Sequence, residues 1–528
     1  MKNRAFISPV FFACTTCCER TAEIAAFQHI PIAYIGGIEQ NSSAGKYFIK
    51  NNLMLEKLLL LCKYCFRLLL AFALFFYFQV AFAIDFGCIQ PDEAAVYVQD
   101  LDSGEVLLAH RADVSMNPAS TMKLVTTFAA LHGLGGDYRW QTQWRSSGTV
   151  ANGALQGDLY WVGSGDPAFD QPDLVDMQQQ LVRQGIMSLN GKVVLDRRVW
   201  GGLASAEGFE NDADESFVVP PDPHMIAYKA LWITAARNEA GQPDFLLNPP
   251  LYGIQTDLSQ LTETDGRCGK LSNHVSAKFE NGMLVFRGRL PAACMGEKMF
   301  INLFDAPRFA EESFRGYWLA QGLGGLYGFG RGAAPSNSRI LATHFSKPLG
   351  EVLTDMNKHS SNLIARSVFL TLGHQANGPH SVQNAEAAVR RQLVSAGLDD
   401  EALVLENGSG LSRRERLTAR FLGSMLFQAY RSPFRDTFIH TLPIAGTDGT
   451  LRGRFRQLGR SLRMKTGTLR DVRALAGYWL PPNGRRLAVV VIINSHRSGG
   501  YLPDMDAMVR RIVHDADRLD NVQTVPAQ

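Results

Sequence analysis

The sequence predicts an α+β fold in which one domain is split by a large β-rich insert. Three observations carry that prediction. A hairpin pattern and an apolar helix open the globular part. Short strand-like runs separated by Gly-, Asn- and Asp-rich turns fill residues 141–340. Helical periodicity, a strand pair and a last helix then close the chain, so the two flanks complete one another. At 528 residues the chain is too long for a single core, and two or three domains are expected. The near-balanced formal charge of +3 excludes the concentrated basic face of a nucleic-acid binder.

The N-terminal part differs in kind. Leu58 to Val80 is strongly apolar, with Lys57, Lys63 and Arg67 at or inside its front end, and Ala81-Phe82-Ala83 follows. A basic start, an apolar run and a small-x-small end make residues 54–83 a secretory signal cut after Ala83. An uncleaved anchor is the alternative. Arg67 leaves an apolar run of about thirteen residues, short of the roughly twenty that a spanning helix needs. Residues 1–53 precede a complete signal and are expected to be an overcalled start or an unstructured extension. Five of the eight cysteines lie before the cut, leaving Cys88, Cys268 and Cys294. An oxidising compartment permits a Cys268–Cys294 bridge, closing a loop of about 27 residues and contributing ~3 kcal/mol. Cys88 is left over, and Asp85-Phe86-Gly87 before it does not match a lipidation signal.

The first part of the split domain, 84–140, starts with AAVYVQDLDSGEVLLAH, two β-forming runs around Asp102-Ser103-Gly104. Asn117-Pro118 then supplies an N-cap and a proline for the first helical turn. Apolar residues from Met122 to Leu131 make that helix a buried one, with Ser120 in its first turn and Lys123 one turn on, on the same face. The insert, 141–340, holds the runs GDLYWVGSGDPAF, GKVVLD, YGIQTDL and GMLVFRGRL, with one helical stretch from Leu174 to Gly185. The second part, 341–528, is helical over Leu349–Leu372 and Leu417–Tyr430. A strand pair in RALAGYWLPPNGRRLAVVVIINSH and a helix over Met505–Ala516 end it, and the polar residues beyond carry no amphipathic anchor. Peripheral membrane association is left open.

Chemistry enters through spacing. Ser120-Thr121-Met122-Lys123 offers a nucleophile beside a base. Ser360-Ser361-Asn362 and Lys465-Thr466-Gly467-Thr468 follow in order, with ENGSGLSRRERLT between them. S-x-x-K, S-x-N and K-T-G in this order resemble the signature set of penicillin-binding proteins and class A β-lactamases. With the insert of about 240 residues between Ser120 and Ser360, and with GDLYWVGSGDP, LENGSGLSR, LPIAGTDGTLRGR and KTGTLRDVRALAGY, the sequence resembles D-alanyl-D-alanine carboxypeptidase/endopeptidases of the penicillin-binding protein 4 type, low-molecular-mass class C. The likeness runs from about Cys88 to about Val513. Ser361, where Asp or Asn is commoner, and Arg366, where an acidic residue is expected, depart from the pattern.

The resemblance implies a transpeptidase-like domain, an antiparallel sheet with helices on both faces, divided into 84–140 and 341–528. It implies a periplasmic hydrolase that cuts peptidoglycan peptides ending in D-Ala-D-Ala and is acylated by β-lactams. A serine hydroxyl is a poor nucleophile unless a neighbour takes its proton. Lys123 does so only when neutral, so burial and the nearby charge of Lys465 are expected to lower its pKa. Ser360 then relays a proton to the leaving group. Asn362 orients Lys123 and holds the substrate amide. The backbone N–H groups of Ser120 and Thr468 form an oxyanion hole, and Lys465, Thr466 and Thr468 receive the terminal carboxylate. Asp166 is either a plain turn starter before Pro167 or, as the resemblance implies, the group that binds a free amine on the peptidoglycan side chain. Ser409–Ser412 is expected to shape the cleft wall. No metal or cofactor is required. A β-lactamase and an idle cell-wall binding protein with the same fold are the alternatives.

Overall fold

The structure, a computed structural model, describes residues 84–200, 218–377, 382–398 and 401–523. The expected extension 1–53 and signal 54–83 lie outside the described residues.

The opening hairpin forms as expected from strands Ala94–Asp100 and Val106–His110. The Asp100 carboxylate ties its turn by accepting from the backbone N–H groups of Asp102 at 2.9 Å and Ser103 at 2.8 Å. On its other side Ala94–Asp100 pairs antiparallel with Leu487–Asn494, the last strand of the chain. The five-stranded sheet therefore runs Leu462–Leu469, Val472–Trp479, Leu487–Asn494, Ala94–Asp100, Val106–His110. One domain is thus assembled from both ends of the sequence, as the order of elements predicted.

Its central strands read as continuous apolar runs because both faces are covered. Val96, Val98, Val489 and Val491 pack under the C-terminal helix Leu502–Gln523, against Met505, Val509 and Ile512. Ala95, Tyr97, Val490 and Ile492 face the helical layer on the opposite side. The helix Met122–Leu134 sits within that layer and is buried from Met122 through Leu131. Phe128, 1% exposed, is one of its anchors, and truncation to alanine should cost about 3–5 kcal/mol. The expected helical block Leu349–Leu372 is two helices, Leu349–His359 and Asn362–Asn377. They break at Ser360, whose backbone is left-handed with φ 57° and ψ 35°. A further helix, Val382–Ser395, was not expected.

The chain leaves this domain at strand Gln141–Ser146 and returns by Arg339–Phe345, with Gln141 and Phe345 directly paired. The return strand carries the insert five residues past the expected boundary at 340. The expected helix near Leu174 spans Gln171–Arg183, capped by the Asp170 carboxylate. The insert holds a second helix, Ala306–Ala320, which corrects the expectation of one. Its start signal was present in Asp305, whose carboxylate accepts from Arg308 N at 2.9 Å, and in Pro307. Its buried face, Phe309, Ala310, Phe314 and Trp318, packs with Trp144 and Trp161 into a core of its own. Cys268 and Cys294 are joined as a disulfide beside the sheet of Gln255–Thr264, Met283–Pro291 and Val275–Glu280. Cys88 is free and exposed.

Candidate active site

The first motif is held by its own helix start. Asn117 Oδ1 accepts from Ala119 N at 2.8 Å, and a single 3-10 turn, Ala119–Thr121, leads into the α-helix. Ala119 has φ +45°, a strained conformation for a residue with a Cβ. Two glycines let other segments press on this turn. A Cβ on Gly410 would lie 1.8 Å from Ala119 O, and one on Gly467 would lie 2.7 Å from Pro118 O. The loop of Gly410 and the strand of Gly467 therefore close directly onto the turn that carries Ser120.

Lys123, with no exposed surface, donates from Nζ to Ser120 Oγ at 2.9 Å, Asn362 Oδ1 at 2.6 Å and Ser409 O at 2.5 Å. All three protons of an ammonium are thereby engaged. Burial pushes Lys123 down to about 7, against the Glu415 carboxylate, which pulls it up. A neutral amine keeps two of these contacts and turns its lone pair to the third. With Asn362 and Ser409 offering only acceptors, the lone pair belongs on the Ser120 hydroxyl.

Ser360, Ser361 and Asn362 divide their work. Ser361 Oγ accepts from Ile364 N at 3.3 Å and caps the helix that starts at Asn362. Asp, Asn and Ser all serve at an N-cap, so the departure at Ser361 keeps the function of the position. With Ser361 in the cap, Ser360 meets Lys465 and Asn362 meets Lys123. Ser360 Oγ accepts from Lys465 Nζ at 2.7 Å.

Lys465, also without exposed surface, lies on the edge strand Leu462–Leu469 and donates to Thr466 O at 2.8 Å as well. Burial and then repulsion from Lys123 hold it well below the usual lysine range. The expected lysine–lysine repulsion thus weighs on Lys465, while burial dominates for Lys123. Thr466 Oγ1 donates to Thr450 Oγ1 at 2.8 Å, a partner the motif alone did not reveal. Thr468 is exposed at the sheet edge, where backbone groups have no strand beside them.

Glu415 escaped sequence reasoning, and Arg366 was seen only as a departure from the family pattern. Glu415, fully buried, accepts from the backbone N–H groups of Glu406, Asn407, Gly408 and Gly410, at 3.2, 3.0, 3.0 and 2.8 Å. Ser409 to Ser412 are buried, and Ser409 O accepts from Lys123 Nζ. Arg366 is buried, where burial lowers it to about 10 and the Glu415 charge opposes that fall. A buried charge inside RRER is not visible in the sequence, since such runs normally face water. The insert also reaches the motifs: Val219 packs with Leu363, and Val218 with Leu411 and Leu469.

Asp166 is not part of the serine–lysine network. Its Oδ1 accepts from Ala168 N at 2.9 Å, the plain turn expected of Asp-Pro. Its Oδ2 is buried, accepts no hydrogen bond among the described residues, and lies 3.5 Å from His344 Nε2.

A family model described as D-Ala-D-Ala carboxypeptidase 3 (S13) matches residues 80–513. A D-alanyl-D-alanine carboxypeptidase of Actinomadura sp. (strain R39) is 28% identical over 450 residues, 80% of this chain and 81% of the relative. The carboxypeptidase DacB of Haemophilus influenzae is 26% identical over 420 residues, 78% of this chain and 87% of its own. The crystal structure of penicillin-binding protein 4 from Haemophilus influenzae superposes with a TM-score of 0.65 at 25% identity, covering 80% of this chain and 96% of that one. The same Haemophilus protein has been solved in complex with a β-lactam.

Proposed function

The chain belongs to the D-Ala-D-Ala carboxypeptidase 3 (S13) family and is a carboxypeptidase of the penicillin-binding protein 4 type, and from that premise we propose that it works through an acyl-enzyme on Ser120. The observation that carries this reading is the buried Lys123 amine 2.9 Å from Ser120 Oγ, held near neutrality. Ser120 Oγ attacks the carbonyl carbon of the penultimate D-alanine and its proton passes to Lys123. The oxyanion meets the backbone N–H groups of Ser120 and Thr468, each donor worth roughly 3 kcal/mol. As the C–N bond breaks, the proton held by Lys123 passes through the Ser360 hydroxyl to the nitrogen and the terminal D-alanine leaves. Water then cleaves the ester and restores Ser120.

The terminal carboxylate is received by Lys465 and Thr468. Thr466 directs its proton to Thr450 and supports them from below. Lys465 donates to a hydroxyl and a carbonyl, both neutral, so a substrate carboxylate supplies a countercharge and draws a proton onto it. We extend the reading to cross-linked stem peptides, giving endopeptidase as well as carboxypeptidase activity, and to β-lactams, which acylate the same serine. Asp166 receives the free amine of the peptidoglycan side chain when His344 yields its place. Export by residues 54–83 delivers the protein to the periplasm.

The test uses the protein without its signal, a D-Ala-D-Ala pentapeptide and a cross-linked muropeptide dimer. The reading expects D-alanine from the first and monomers from the second, both lost in Ser120→Ala. D-alanine release that survives Ser120→Ala contradicts it.

A further inference from the structure

Glu415 lies behind the cleft, on the far side of the loop that touches Lys123. Three successive N–H groups, from Glu406 to Gly408, converge on Oε1, and Gly410 N donates to Oε2. The carbonyls of the same loop point the other way. Gly408 O accepts from Thr126 Oγ1 at 2.6 Å, and Ser409 O accepts from Lys123 Nζ. One peptide group thus spans the gap. The Gly410 N–H of the Ser409–Gly410 peptide is bound to the carboxylate, and the Ser409 carbonyl of that peptide is bound to the lysine. Hydrogen bonds in series polarise one another, most strongly where water is excluded. The peptide also cannot drift, because Gly410, at φ +76°, is packed against Ala119 O.

We propose that Glu415 is a positioning residue for the acylation step: its carboxylate fixes and polarises the Ser409–Gly410 peptide, whose carbonyl holds the Lys123 amine against Ser120. Nothing in S-x-x-K, S-x-N or K-T-G assigns this role. The charged groups around the arrangement are Lys123 and Lys465 on the cleft side and Arg366 on the Asn362 helix. Glu406 and Arg414, paired at 2.5 Å, lie on the loop itself. Burial raises the pKa of Glu415 against the four N–H donors that favour its charged form, and when charged it opposes the effect of burial on Lys123. Removing that charge makes the lysine easier to deprotonate, so its neutral form persists to lower pH. The same removal loosens the carbonyl that aims it.

The inference rests on the acyl-enzyme reading, and its test separates the two. The acylation rate with a labelled penicillin is followed from pH 5 to 9 in the wild type, Glu415→Gln and Glu415→Asp. The acid limb should move to lower pH by about one unit in Glu415→Gln. It should move less in Glu415→Asp, which keeps a retracted charge. The plateau should fall about tenfold in Glu415→Gln, as expected for a misaimed base. A loop that merely needs Glu415 to fold would lower the plateau and leave the limb in place. An unmoved limb in either folded variant overturns the inference. A wild type that takes no label overturns the acyl-enzyme reading instead.

Discussion

Lys123 and Lys465 are both fully buried lysines whose amines meet serine hydroxyls, yet their surroundings differ in one respect. Lys123 has the charge of Glu415 within reach, across one peptide group. Lys465 meets Ser360, the carbonyl of Thr466 and the repulsion of Lys123. Burial lowers both, but the carboxylate stops the fall of Lys123 at about 7, where an amine can accept and return a proton at neutral pH. Lys465 is also held well below the usual lysine range and, on the proposed reading, suits a substrate that brings its own carboxylate. Burial acts on both lysines, so on that reading the neighbouring charge is what separates the base from the binding group.

The sharpest way to break this comparison is to remove each amine in turn. Lys123→Met should lower the acylation rate about a thousandfold with little change in KM, as the loss of a general base does. Lys465→Met should raise KM for a D-Ala-D-Ala peptide more than it lowers kcat. Equal effects on the two constants in both variants would erase the distinction.

A smaller effect comes from pH. With Lys123 needed neutral and lowered to about 7, kcat/KM should rise through an acid limb near pH 7. A limb left near the usual lysine value, above pH 10, would mean that burial does not act on Lys123 as described. The pH profile of peptide cleavage checks this directly.

The smallest effect separates structure from chemistry inside one motif. Ser361→Ala should cost about 1 kcal/mol of stability, the usual value of an N-cap, read as a lower Tm. Asn362→Ala should instead slow acylation more than it lowers Tm, because its side chain is committed to Lys123.

Much of this was legible in the sequence because the motifs sit on elements with strong local signals. Asn117-Pro118 announces the helix that carries Ser120 and Lys123, and the apolar runs of the terminal strand pair announce the sheet that carries Lys465. The split domain was legible as well, since the order of elements, with a hairpin and helix before the insert and helices, a strand pair and a helix after it, lets the two flanks complete one domain. The helix Ala306–Ala320 was missed because its aromatic residues and flanking glycines resemble the strands around it. Glu415 was missed for a different reason. Its role depends on a loop folding back around it, and nothing local in RRER distinguishes a buried acid from a solvated one. Asp166 was legible as a turn starter, and one of its oxygens closes that turn while the other faces His344.

The account turns on Ser120 being the atom that Lys123 activates, and the most direct test locates the acyl group. The protein is treated with a labelled penicillin, digested, and the modified peptide sequenced by mass spectrometry. The account predicts one label per chain, on Ser120, reduced about a thousandfold in rate by Lys123→Met. A label on another residue, or a Lys123→Met protein acylated at the wild-type rate, would contradict it.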